Sequence, residues 1–127
     1  MTNLIYLSLL FLSLSGFMSD CKDFRHGTFV LDDHVGNVYT ITRKGNVQTE
    51  EDNATGNMSE FKIKWVDECN YVLYDRKVVK GIDDMPAEFA KKPLYCRIIK
   101  IQGNTFSVAC KMDGEEEMIT PPIEKIK

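Results

Sequence analysis

The stretch that decides the fold is Phe61-Lys62-Ile63-Lys64-Trp65 (residues 61–65), in which large apolar residues alternate with lysines. Successive side chains of a β-strand point to opposite faces of the sheet. A period of two therefore directs Phe61, Ile63 and Trp65 toward a core and both lysines toward water. The stretch predicts a half-buried β-strand.

Short segments rich in β-branched and aromatic residues flank this strand on both sides, and turn residues such as Gly36 and Gly45-Asn46 separate them. The predicted strands are residues 28–31, 37–43, 47–50, 61–65, 69–74, 94–101, 105–112 and 118–126. Pro121-Pro122 interrupts the last one, which indicates an edge strand or a bent closing strand. The pattern predicts an all-β fold, an antiparallel up-and-down meander closing into a small lipocalin-like barrel or a curled sheet. A two-sheet sandwich is the alternative.

The segment between Lys77 and Pro93 departs from the strand pattern. Asp84 can cap a helix, Pro86 suits its first turn, and residues 87–92 favour helix. We expect one short helix inserted into the meander.

The N-terminus has the pattern of a secretory signal peptide. Residues 4–14 are apolar except for Ser8 and Ser13, a length typical of a signal-peptide core and shorter than the roughly 20 residues of a spanning helix. A buried N-terminal helix or strand is the alternative. We assign residues 1–19 to a signal peptide and residues 20–127 to a single β-barrel-like domain.

Composition and charge are those of an ordinary soluble domain. Hydrophobic residues make up 43% and charged residues 28% of the chain, which fits a globular protein with one core. The net charge is -3 and the pI is near 5.4, whereas nucleic-acid-binding proteins concentrate basic residues on one face. We expect no nucleic-acid partner.

The four cysteines, Cys21, Cys69, Cys96 and Cys110, all follow the predicted leader. An even number without a C-x-x-C pair favours disulfides over metal or redox chemistry in an oxidising compartment. We therefore expect an exported protein that is periplasmic, outer-membrane-associated or secreted, with no metal and no cofactor. Four cysteines allow three pairings.

The hairpin predicted around Gly103-Asn104 bears on the pairing. A three-residue loop centred on Gly103 places Cys96 opposite Cys110 and leaves Cys21 for Cys69. A two-residue loop shifts the register by one and places Cys110 opposite Arg97. In a further alternative, Cys96 and Cys110 are free core thiols.

No pattern in the sequence assembles a catalytic centre. The two histidines, His26 and His34, stand outside any nucleophile motif. The acidic runs at 50–52, 67–68, 83–84 and 115–117 fall in predicted turns, where carboxylates are well solvated rather than tuned for acid and base work. We predict no catalytic residues and no enzymatic activity.

Two motifs carry a resemblance to a known group. Residues 21–29 read C-K-D-F-R-H-G-T-F and residues 65–71 read W-V-D-E-C-N-Y. They resemble the small exported proteins of Bacteroidota with the pattern C-K-[DE]-F-x-x-G-x-F followed by W-x-x-[DE]-C-x-Y. The resemblance extends to Arg43, Gln48 and Glu50, and it implies a disulfide between Cys21 and Cys69.

Two other properties of that group, a lipobox and an automatic name, match this sequence less well. Members often have a lipobox, whereas Asp20 and Met18 stand where a small and an aliphatic residue would precede an acylated Cys21. Membrane attachment is therefore expected only if Cys21 carries a lipid anchor. Some members bear the automatic name DNA topoisomerase IV. Topoisomerase activity requires an ATP-binding domain and a much larger protein, so the residues of this chain do not support that name.

Aromatic residues on the predicted inward faces suggest a function. We predict a non-catalytic binding module whose interior or open end holds a small apolar ligand. The candidate lining residues are Phe29, Tyr39, Trp65, Tyr71 and Phe106. Ordinary core packing is the simpler role for each of them. The alternative function is a structural or protein-interaction domain of the cell envelope, with an envelope protein as its partner.

Overall fold

The computed structural model describes residues 20–83 and 85–127. The predicted signal peptide and the predicted helix cap Asp84 lie outside these residues. In the part of the chain that is described, no helix is long and apolar enough to cross a membrane.

The described chain is built almost entirely of strands. It begins with a 3-10 helix at Cys21–Phe24 and has one α-helix, α1, at Ala87–Ala90. The strands are β1 (Gly27–Asp32), β2 (Val38–Lys44), β3 (Val47–Asp52), β4 (Met58–Trp65), β5 (Asn70–Lys80), β6 (Leu94–Gln102), β7 (Thr105–Lys111), β8 (Met118–Ile119) and β9 (Ile123–Lys125).

Eight of the nine strands close into an antiparallel barrel. Strands β1 to β7 pair in chain order, and β9 pairs with both β7 and β1. Strand β8 is the additional strand and pairs with β7 alone. This arrangement confirms the predicted all-β meander and selects the barrel over the sandwich.

The closing strand is bent, as Pro121-Pro122 predicted. Ala109 pairs with Ile119 before the prolines, and Phe106 pairs with Ile123 after them. The register along β7 therefore shifts by one residue between β8 and β9. The prolines fall between the two paired segments, where the loss of their N–H groups costs no ladder hydrogen bond.

Phe24 plugs one end of the barrel, which we call the closed end. Phe24, Phe29 and Phe106 are fully buried. The Phe24 and Phe106 ring centroids lie 4.3 Å apart, and Phe29 meets Phe106 edge-on at 5.6 Å. The opposite end, which we call the mouth, carries the connections 33–37, 53–57, 81–93 and 112–117, because antiparallel strands alternate their turns between the two ends.

The predicted Cys21–Cys69 disulfide is confirmed. It joins the 3-10 helix to the turn between β4 and β5, with the Cα atoms 5.1 Å apart. Asp67 shapes that turn by accepting hydrogen bonds from the backbone N–H groups of Cys69 and Asn70. The bond uses the Cys21 sulfur that a lipid anchor would require.

Cys96 and Cys110 do not form the second disulfide that their facing positions allowed, and the alternative of free core thiols is the one found. Cys96 does face Cys110, but the two are free thiols with their Sγ atoms 3.4 Å apart. The hairpin has a two-residue loop with Gln102 opposite Thr105, and a register shift between Ile99 and Gln102 restores the facing cysteines. Lys100, with φ at 52°, lies within that shift, which is the behaviour of a β-bulge.

Strand β5 is longer than predicted and α1 is shorter. Lys62 pairs with Tyr74 but Glu60 pairs with Lys77, so a bulge at Asp75, with φ at 50°, adds one residue to β5. The extra residue reverses which residues face inward. Asp75 consequently has 63% of its side chain exposed and Arg76 only 9%. Pro86 stands at the N-cap of α1 rather than in its first turn.

Candidate binding site

Four of the five predicted lining residues meet around one arginine. The guanidinium carbon of Arg43 lies 5.3 Å from the Phe29 ring centroid, 5.6 Å from Trp65, 4.6 Å from Tyr71 and 5.8 Å from Phe106. The space among these rings is therefore occupied by a cation of the protein itself. The fifth residue, Tyr39, lies at the mouth.

Arg43 is buried, with 3% of its surface exposed. Its Nε donates to Gln48 Oε1 at 2.8 Å, its Nη1 to the Phe24 carbonyl at 2.7 Å, and its Nη2 to the Tyr71 hydroxyl at 2.6 Å. A buried charge is tolerated only when it is hydrogen-bonded and compensated. The hydrogen bonds meet the first requirement, and the aromatic faces add cation–π attraction.

Gln48 links Arg43 to a carboxylate. Its Nε2 donates to Glu50 Oε1 at 2.9 Å, and alternation along β3 places both side chains on the inward face. Burial raises the pKa of Glu50, while the Gln48 hydrogen bond and the charges of Arg43 and Arg76 act against this rise. Glu50 is therefore a carboxylate whose negative charge is only partly compensated.

The mouth pocket is a cavity of about 200 Å³ that begins where this line of polar groups ends. It is lined by Tyr39, Glu50, Asp52, Asn57, Ser59, Phe61, Arg76, Ile82 and Met85. Glu50 thus belongs both to the pocket and to the Arg43 network. Phe61, Ile82 and Met85 supply apolar wall, and the remaining side chains supply hydrogen-bonding groups.

Two side chains fasten the segment after β5 to the rim of the pocket. Asn57 Oδ1 accepts the Ile82 N–H at 3.2 Å, and a Cβ at Gly81 would collide with the Asn57 side chain. Arg76 Nη1 donates to Asp83 Oδ1 at 3.0 Å. The Met85 N–H and then Arg76 lower the pKa of Asp83. The rim is therefore held in place rather than left free.

Beside the arginine, Tyr71, Cys96 and Cys110 lie in a row across the barrel wall. Tyr71 pairs with Cys96, and Cys96 pairs with Cys110. The hydrogen bond shared by the two thiols, together with burial, raises the pKa of Cys96, and the same hydrogen bond lowers the pKa of Cys110. Burial raises the pKa of Tyr71 well above 10.0. Cys96 and Tyr71 therefore keep their protons at neutral pH. Among residues 20–83 and 85–127, no group of three or more His, Cys, Asp or Glu could hold a metal ion.

Strand alternation placed the five aromatic residues on inward faces, but of these five only Tyr39 lines the mouth pocket. The charged groups among the aromatic residues were missed. Alternation from Ile41 puts Arg43 on the inward face of β2, so a signal for Arg43 was present. Gln48 and Glu50 entered only through the family resemblance. Arg76 had no such signal, because the bulge at Asp75 decides the face on which it lies.

Comparisons with protein-family models, with curated proteins and with solved structures each find no match to this chain.

Replacing Glu50 by glutamine should stabilise the protein at neutral pH. Because the folded pKa of Glu50 is raised, the folded state binds this proton more tightly than the unfolded state, and stability falls as pH rises through the unfolded value of about 4.3 and above. Glutamine keeps an oxygen for Gln48 and removes the charge. Thermal unfolding should show a higher Tm for Glu50→Gln at pH 7 and no gain near pH 3. An equal gain at both pH values, or the same gain in the outward-facing control Glu51→Gln, would contradict this account.

Proposed function

We propose that this protein is an exported, non-catalytic binding module, a small lipocalin-like barrel that holds a small ligand in its mouth pocket. Support for export comes from the Cys21–Cys69 disulfide, since such bonds form and persist in oxidising compartments. The signal-peptide pattern of residues 1–19 is consistent with the same compartment.

The mouth pocket is the observation that carries the proposal. Ligand sites are concave, are commonly found in the mouths of β-barrels, and combine apolar walls with a few convergent polar groups. The mouth pocket has this composition, with Phe61 and Met85 on one hand and Glu50, Ser59 and Arg76 on the other. The other inward-facing aromatic rings, those of Phe29, Trp65, Tyr71 and Phe106, pack around the Arg43 guanidinium group.

The same geometry refines the expected ligand. A cavity of about 200 Å³ is smaller than the roughly 300–1,000 Å³ of pockets for drug-sized molecules. Its polar side chains also need partners when a ligand displaces water from them. The ligand that fits is therefore small and amphipathic, with an apolar body and at least one polar group, rather than wholly apolar.

One observation favours the alternative function, a protein-interaction domain. Strand β8 pairs only with β7, and its residues Met118 and Ile119 are 74% and 54% exposed. An open strand edge with exposed apolar side chains can pair with a partner strand. The edge is two residues long, which makes it a weaker feature than the mouth pocket.

Native mass spectrometry of protein purified from its natural host tests the proposal. Ser59 points into the pocket opposite Glu50, so Ser59→Phe should fill the cavity and abolish a retained small-molecule adduct. Thr49→Phe, on the outward face of β3, is the matched control and should keep the adduct. Circular dichroism and Tm establish that both variants fold.

A fragment screen by ¹H–¹⁵N NMR covers ligands that dissociate during purification. Fragments should shift the amide signals of Ser59 and Ile82 in the wild type and in Thr49→Phe, but not in Ser59→Phe. The proposal would be refuted if the native mass spectrum showed the protein without any adduct and no fragment shifted the amide signals at the mouth. A co-purifying protein that is lost on Met118→Lys would instead support the alternative.

A further inference from the structure

Strand β3 places two carboxylates on the wall of the mouth pocket. Glu50 and Asp52 are alternate residues of β3 and share its inward face. Across the neighbouring strands, Glu50 faces Ser59 and Asp52 faces Tyr39. Both carboxylates line the same cavity.

The cations of this region already have partners. Arg43 is engaged by Gln48, Phe24 and Tyr71, and Arg76 is engaged by Asp83. When all are ionised, the two guanidinium groups face the three carboxylates of Glu50, Asp52 and Asp83. These groups together carry one excess negative charge, and two of the three carboxylates, those of Glu50 and Asp52, line the pocket.

Burial raises the pKa of Glu50 despite the nearby arginines, so these arginines do not fully compensate its negative charge. A ligand cation would supply the missing positive charge in a partly desolvated site, where charge pairs are stronger than in water. An anionic ligand would face two carboxylates, and Arg76, the cation that lines the pocket, already shares its charge with Asp83. The electrostatics of the pocket therefore select against anions.

The other lining side chains suit an organic cation better than a bare ion. Aromatic faces attract ammonium groups through their quadrupole, and the lining includes two aromatic residues, Tyr39 and Phe61. Ile82 and Met85 extend the apolar wall. A metal ion would leave that wall facing water.

We propose that the mouth pocket binds a small organic monocation, a protonated amine on a short apolar body. Its ammonium group lies between Glu50 and Asp52, and its body packs against Phe61, Ile82 and Met85. This inference rests on the proposed function and specifies its ligand class.

Three probes with one phenylethyl body test the inference: phenethylamine, which is protonated at neutral pH, 2-phenylethanol and 3-phenylpropionate. In NMR titrations, phenethylamine should shift the mouth amides and bind roughly tenfold or more tightly than the alcohol, since its ammonium group alone brings a positive charge to the two carboxylates. 3-Phenylpropionate should not bind. Glu50→Gln and Asp52→Asn should each weaken phenethylamine about tenfold and leave 2-phenylethanol unchanged. Glu51→Gln should change neither affinity.

The outcomes separate this inference from the proposed function. If the alcohol or the carboxylate binds the mouth as tightly as the amine, the inference fails and small-ligand binding stands. If no probe binds while other fragments do, the inference again fails alone. If neither probes nor fragments reach the mouth, both fail. The expected higher Tm of Glu50→Gln ensures that a lost affinity in that variant is not a lost fold.

Discussion

Replacing Cys21 and Cys69 together by serine should lower the free energy of unfolding by about 4 kcal/mol. The bond joins residues 48 positions apart, and removing it restores the conformational freedom of that loop in the unfolded chain. Small domains are stable by only about 5–15 kcal/mol, so a large part of the stability would be lost. Urea unfolding followed by circular dichroism measures the change as a shift of the midpoint.

Reduction provides the matched control. Dithiothreitol should lower the stability of the wild type toward that of Cys21→Ser/Cys69→Ser and should leave the variant unchanged. In unreduced, denatured protein, alkylation should not modify Cys69. An alkylated Cys69, or a double variant as stable as the wild type, would contradict the role assigned to this bond.

The number and order of the barrel strands could be predicted because the sequence patterns that indicate strands and turns are local. Alternation in residues 61–65 and glycine turns such as Gly45-Asn46 act within a few positions of the chain. The bulges at Asp75 and Lys100 could not be predicted, since both residues adopt positive φ without being glycine. Such bulges bend and twist strands, and the need for them arises only when distant strands must meet in one closed barrel.

The site was less predictable than the fold for the same reason. Aromatic side chains were assigned to the interior from alternation, but what they enclose depends on which strands face each other across it. Arg43 meets the Phe24 carbonyl and the Tyr71 hydroxyl from 19 and 28 positions away. Arg76 enters the mouth pocket only through the bulge at Asp75. The positions of Arg43 and Arg76 in the site could therefore be assigned only once the pairing register of the strands was known.

Replacing Arg43 by methionine should destabilise the protein by about 3–5 kcal/mol, the range for removing one member of a buried charged network. Methionine keeps an unbranched stem against the surrounding rings. It leaves Gln48 Oε1, the Phe24 carbonyl and the Tyr71 hydroxyl without the donor they have in the wild type, and unmet buried polar groups are costly. Urea unfolding at pH 7 measures the loss.

Two further variants separate the charge of Arg43 from its packing. Lys44→Met, at the next and exposed position, should leave stability nearly unchanged. Arg43→Met/Glu50→Gln should be less destabilised than the sum of its two single changes, because Arg43→Met alone leaves the Glu50 carboxylate without its main buried counter-charge. Strict additivity would mean that Gln48 does not couple the two charges. Coupling would mean that the buried arginine helps to set the charge of the carboxylate that an amine would contact at the mouth.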